Sequence, residues 1–163
     1  MKVIFLDIDG VLNTGRLTMH ISQDWKKIDR EDEFGQFFDS DAIYFLSHII
    51  NETGAEIVIS STWKYNGLDS LVSMWKGRKL PGNVIDTTPN IRAKNNLPFK
   101  ERAERGNEIR AYLDIHPEVE SYVIIDDDDD MLEYQMPFFV QTNPLYGITD
   151  REAESAIRVL NNK

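Results

Sequence analysis

Met1-Lys2-Val3-Ile4-Phe5-Leu6-Asp7-Ile8-Asp9-Gly10-Val11-Leu12-Asn13 is an apolar run that stops abruptly at two carboxylates one residue apart and a glycine. Residues 3 to 6 are apolar at every position, the composition of a strand covered on both faces in a parallel sheet. Ligand sites in such sheets lie just beyond the carboxyl ends of the strands. Asp7 and Asp9 fall at that place, and Gly10 lets the chain turn sharply away. The competing reading is a hairpin turn at Asp9-Gly10. It requires a second buried-type strand from residue 11, and Leu12-Asn13-Thr14-Gly15-Arg16 does not supply one.

Two later runs end in the same manner. Glu56-Ile57-Val58-Ile59 passes straight into the hydroxyls of Ser60-Ser61-Thr62, and the apolar strand 121 to 125 ends in five successive aspartates, Asp126 to Asp130. Phe138-Phe139-Val140 makes a further strand, and Val84-Ile85 a short one. Helical spacing fills the gaps. Asp39-Ser40-Asp41 offers capping residues to an apolar helix over 42 to 50 that closes at Gly54. Helices are also expected over about 67 to 76, from Glu101 to His116, and from Thr149 or Asp150 to about Asn161. The alternation of strand and helix predicts an α/β domain with a mostly parallel sheet. Residues 14 to 38 read as a polar, irregular insertion anchored by Trp25, Phe34, Phe37 and Phe38. The Gly-, Pro-, Asn- and Thr-rich stretch from Gly77 to Pro98 reads as a small cap or substrate loop.

The 163 residues suit one domain with a real core. No cysteine is present, which excludes disulfide scaffolds and thiolate metal sites. The N-terminal run turns acidic too quickly for a signal peptide, and no stretch of about 18 apolar residues exists to span a membrane. A cytoplasmic protein without a membrane partner is the expectation. The net charge of −10 argues against a protein that coats nucleic acid. Residues 62 to 105 differ, with nine Lys/Arg against four acids, as suits a locally held anion or ordinary solvated side chains.

In a parallel sheet the Asp-x-Asp pair, the serines and the aspartate run all meet at one edge. Five aspartates beside Asp7 and Asp9 repel strongly unless a cation sits among them. An EF-hand is rejected by spacing: with Asp126, Asp128 and Asp130 as its first ligands, the sixth position is Met131 rather than glycine and the twelfth is Pro137 rather than glutamate. A few carboxylates, with water and phosphate completing the shell, is the pattern of Mg²⁺.

These motifs resemble those of the haloacid dehalogenase (HAD) superfamily of phosphotransferases, in a compact form similar to the phosphatase domains of nucleic-acid end-repair proteins. Asp7-Ile8-Asp9-Gly10-Val11 matches the first family motif, the hydroxyl ending the run Glu56 to Ser60 the second, and Asp126 with Asp130 the fourth. The resemblance leaves 14 to 38 and 64 to 100 unassigned. It implies a single Rossmann-like, three-layer α/β sandwich with a short insertion at about 14 to 38 and a small cap or substrate loop at about 64 to 100. Asp7 would be the nucleophile, forming an aspartyl-phosphate. Asp9 would protonate the leaving oxygen, deprotonate the attacking water and touch the metal through its backbone carbonyl. Asp126, with Asp127 or Asp130, would complete the protein's share of Mg²⁺ coordination. Ser60 would bind the phosphoryl oxygens beside Gly10, with Ser61 in its place if the strand ends one residue later.

The family's third motif is normally a lysine, and none lies between Lys100 and the aspartate run. Arg105 is the best-placed substitute, adding bidentate phosphate geometry, with Lys100 and Arg102 as fallbacks. The dehalogenase branch does not need the second aspartate of the first motif, so Asp9 favours phosphate chemistry. The expected activity is a Mg²⁺-dependent phosphohydrolase acting on a phosphorylated small molecule or nucleic-acid end, with sugar phosphates nearly as well supported. A receiver-type phospho-acceptor is disfavoured because the acidic run follows a late strand, and a non-catalytic HAD-like binding protein because Asp7, Asp9 and the acidic fourth motif are intact.

Overall fold

The structure, a computed structural model, describes residues 1–23, 31–91 and 104–162. In chain order the elements are β1 (Lys2–Leu6), α1 (Gly15–Gln23), β2 (Glu31–Asp32), β3 (Gly35–Gln36), α2 (Ser40–Thr53), β4 (Glu56–Ile59), α3 (Leu68–Gly77), β5 (Val84–Thr87), α4 (Glu104–Ile115), β6 (Ser121–Asp126), β7 (Phe139–Gln141) and α5 (Asp150–Leu160). Short 3₁₀ helices cover Thr62–Asn66 and Glu133–Phe138.

Five strands form one sheet in the order β5-β4-β1-β6-β7, and every neighbouring pair is parallel. The all-apolar composition of β1 has its physical explanation here. Ile4 and Leu6 face one layer with Ile57, Ile59, Val123 and Ile125, whereas Val3 and Phe5 face the other with Val58 and Ile124. The first layer is closed by α2 through Ala42, Leu46 and Ile49, by α3 through Leu71, Met74 and Trp75, and by α5 through Ala153, Ala156 and Leu160. The second is closed by α4 through Ile109 and Tyr112. Helices on both faces of a parallel sheet make the Rossmann-like three-layer sandwich.

Asp39 caps α2 by accepting from the Asp41 amide, and Gly54 closes the helix in the left-handed region. The described residues of the 14 to 38 insertion are not irregular: they hold α1 and a two-stranded antiparallel hairpin, β2 with β3. Arg16 of α1 pairs with Asp39 at 2.8 Å and with Asp41 at 2.7 Å, tying the insertion to the start of α2. Of the 64 to 100 stretch, residues up to 91 are largely built into the sandwich, through α3 and the edge strand β5. Residues 92–100, the expected helical start at Glu101, Lys100 and Arg102 among the third-motif fallbacks, and Trp25 lie outside the described residues. Among the described residues no helix is long and apolar enough to cross a membrane.

Candidate active site

The three central strands β4, β1 and β6 deliver their carboxyl ends to one place. The Asp7 amide donates to the Ile125 carbonyl at 3.0 Å and the Ser60 amide to the Leu6 carbonyl at 2.9 Å, so Asp7, Ser60 and Asp126 leave the sheet at similar height. Adjacent strands stand about 4.8 Å apart, which brings their end residues within reach of one another.

Asp7 and Asp126 are buried, and Asp127 is half-buried. Each of the three offers a carboxylate oxygen, all within 4.8 Å of one another. Burial pushes the Asp7 carboxyl up, against the pull of Arg105, the Ser61 hydroxyl and the Ile8 amide. Burial, then the neighbouring Asp7 charge, pushes Asp126 up as well. Arg105 lies between them, with Nη2 3.6 Å from Asp7 Oδ1 and Nε 3.1 Å from Asp126 Oδ2. The second contact is an ion pair without an aligned N–H, for Asp126 Oδ2 is buried and receives no hydrogen bond. Asp126 Oδ1 is held by the Asp128 amide at 3.0 Å. A buried carboxylate oxygen with a free electron pair, beside two further carboxylates, fits a hard divalent cation that takes oxygen ligands. Asp7, Asp126 and Asp127 are the residues that could hold it.

Gly10 sits at φ +74, and a Cβ there would overlap the Asp127 carboxylate. Only glycine lets the turn after β1 pass so close to the acid cluster. Thr142, at the end of β7, donates its hydroxyl to the Gly10 carbonyl at 3.0 Å, and Gln141 Nε2 donates to the Asp127 carbonyl at 2.9 Å.

The two serines take different parts. Ser61 is fully buried and its hydroxyl hydrogen-bonds Asp7, whereas the buried Ser60 hydroxyl has no hydrogen-bond partner. Asp130 stands apart from the three converging carboxylates. Its Oδ2 accepts from the Arg105 amide and its carbonyl from the Gly106 amide, each at 3.2 Å, so it satisfies the first turn of α4 and thereby places Arg105. Asp9 is exposed. Asn13 Nδ2 donates to its Oδ1 at 2.8 Å and the Trp63 indole N–H to its Oδ2 at 3.0 Å, so both carboxylate oxygens are held beside the cluster.

A family model described as the HAD domain in Swiss Army Knife RNA repair proteins matches residues 3–153. The chain belongs to this HAD family. A comparison with curated proteins finds no match. In this HAD domain the basic group that touches Asp7 and Asp126 is Arg105. A nearby lysine, Lys64, is occupied elsewhere: its buried ammonium pairs with Glu108 of α4 at 2.5 Å and lies 3.3 Å from the Thr88 hydroxyl. Burial depresses the Lys64 pKa, and Glu108 works against that shift. Lys64 and Trp63 follow the hydroxyl motif directly, which suggests residues at the substrate entrance, but the pairing of Lys64 with Glu108 and the contacts of Asn13 and Thr142 belong to no motif of the HAD site. Of these contacts only that of Asn13, four residues after Asp9, carried a local signal.

Proposed function

We propose that this HAD domain is a Mg²⁺-dependent phosphomonoesterase working through an aspartyl-phosphate on Asp7. The observation that carries the reading is the convergence of Asp7, Asp126 and Asp127 within 4.8 Å, beside Arg105 and at the carboxyl edge of the sheet. Asp7, Asp126 and Asp127 would hold Mg²⁺, which supplies charge neutralisation for the phosphoryl oxygens and relieves the repulsion among the three acids.

The protein's own groups then divide the work. Asp7 Oδ attacks phosphorus, the P–O bond to the leaving group breaks, and the leaving oxygen takes its proton from Asp9. Water next attacks the acyl phosphate, giving its proton back to Asp9 and releasing inorganic phosphate and free Asp7. Arg105, one guanidinium between two carboxylates, balances their charge and faces the transferred phosphoryl oxygens. Ser61 orients Asp7 through the hydrogen bond from its hydroxyl. Trp63 and Asn13 hold the Asp9 carboxylate.

The substrate is a phosphorylated small molecule or a phosphorylated nucleic-acid end, the second supported by the RNA-repair description of the family. Turnover measured over nucleotides, end-phosphorylated oligonucleotides and sugar phosphates, with Mg²⁺ and with chelator, tests the reading. Hydrolysis that needs Mg²⁺ supports it, and hydrolysis unaffected by chelator overturns the metal's role.

A further inference from the structure

Beside Trp63 lies a cavity of about 300 Å³ that the catalytic reading leaves unused. Phe34, Trp63, Leu71 and Met74 line it together with the polar Glu33, Asn66 and Ser70, and two of these side chains are flat rings. Trp63 is a wall shared with the reaction centre, because its indole N–H is hydrogen-bonded to Asp9 at 3.0 Å. A group whose oxygen is protonated by Asp9 therefore has the Trp63 side chain as a neighbour.

Phe34 is presented by the turn between β2 and β3, and that hairpin is firmly held. Arg78, at the end of α3, donates to both Asp32 carboxylate oxygens, at 2.9 and 2.7 Å, and to the Gly35 carbonyl at 2.9 Å. The same guanidinium lies 4.8 Å from the Phe38 ring centroid, and Phe38 meets Trp63 edge to face at 5.6 Å. One side chain thus fixes the position of Phe34 relative to Trp63 before any ligand arrives.

We propose that this cavity binds the nucleobase of the leaving group, stacked on Phe34 and Trp63, which makes the substrate a nucleotide or a nucleotide end rather than a sugar phosphate. The proposal rests on the reading that Asp9 serves the leaving oxygen. The two flat rings suit a base, which presents a π-face whatever its identity, whereas a bare sugar has no π-face to stack on them. The remaining lining side chains, Glu33, Asn66 and Ser70, offer acceptors and donors for base edges. Among the described residues that line it none is basic, which favours a base over a second phosphate.

The test is calorimetric titration of the Asp7→Asn protein with Mg²⁺ present, using adenosine 5′-monophosphate, adenosine 3′-monophosphate and ribose 5-phosphate. At least one adenosine phosphate should bind about tenfold or more tightly than ribose 5-phosphate. Phe34→Leu, which keeps apolar volume and loses the flat ring, should erase most of that advantage. Ser70→Trp, which fills the cavity from α3, should erase it as well, so the outcome does not hang on how one variant folds. Equal binding of the three probes, or no binding in the millimolar range, overturns the proposal. A tenfold preference in a wild-type protein that hydrolyses none of the three upholds the cavity and sinks only the catalytic reading.

Discussion

At the scale of single residues the site turns on which of several identical side chains faces Asp7. Ser60 and Ser61 are adjacent and both buried, yet only the Ser61 hydroxyl reaches that carboxylate. A nucleophile misplaced by about 1 Å loses roughly 10²-fold in turnover. Ser61→Ala should therefore lower kcat on an aryl phosphate by about that factor while Ser60→Ala changes it severalfold at most, as steady-state kinetics would read. The reverse order would hand the role to Ser60. The sequence places a hydroxyl at the strand end but does not choose between neighbours, because a one-residue difference in where the strand stops exchanges the faces of both. The aspartate run poses the same difficulty. Five identical acids look alike on paper, and backbone geometry alone turns Asp127 toward Gly10 and Asp130 toward the amides of α4. Lys64 and Glu108 are far apart in sequence, and no local pattern announces that they form a buried pair.

Elements were legible where periodicity was strong. The apolar strands β1, β4 and β6 and the helices α2, α3 and α5 read directly, because burial on one or both faces demands a fixed apolar spacing. The helix α1 did not, since it opens on Gly15 and has no acidic residue in its first turn. Contacts rather than propensity account for its placement, above all the Arg16 pairing with Asp39. Burial works against the charged form of Asp39. Hydrogen bonds from Arg16, Thr14 and the Asp41 amide outweigh it and hold the carboxyl below the usual carboxylate range. A depressed carboxylate stabilises the fold above its unfolded pKa, about 3.9, and loses that contribution as pH falls below it. Arg16→Ala should cost about 2 kcal/mol in urea unfolding at pH 7. The deficit against wild type should narrow below about pH 4, and a deficit independent of pH would deny the pairing. Asp130 belongs to this scale too. As a cap, its replacement by Ala should lower stability by about 1 kcal/mol. It should leave Mg²⁺ binding intact, whereas Asp127→Ala should weaken Mg²⁺ binding in the same titration.

For the whole molecule, the fold gathers negative charge at one sheet edge and leaves Arg105 as the cation seen against it among the described residues. Such an arrangement stores repulsion that a bound divalent ion relieves. Mg²⁺ at about 100 times its Kd adds about 2.7 kcal/mol to stability. For a domain of this size that is a rise in Tm of roughly 5–10 °C. Thermal melts should show the rise in the wild type and lose it in Asp126→Ala; equal melts with and without Mg²⁺ would count against the site. The convergence itself was legible from three strand ends, because a parallel sheet leaves them no other edge to share. The hairpin and its cavity were not, since Glu31 to Gln36 carries almost no strand pattern and is held by Arg78 from another element. In the proposed reaction the phosphoryl group passes first to an Oδ of Asp7. Acid-quenching the protein during turnover of an aryl phosphate with Mg²⁺, followed by peptide mass analysis, reads that directly. One phosphoryl group on the peptide carrying Asp7, absent from an Asp7→Asn protein whose turnover has fallen about 10³-fold or more, is the predicted result. Undiminished turnover by Asp7→Asn, or a phosphoryl group on any other residue, would contradict it.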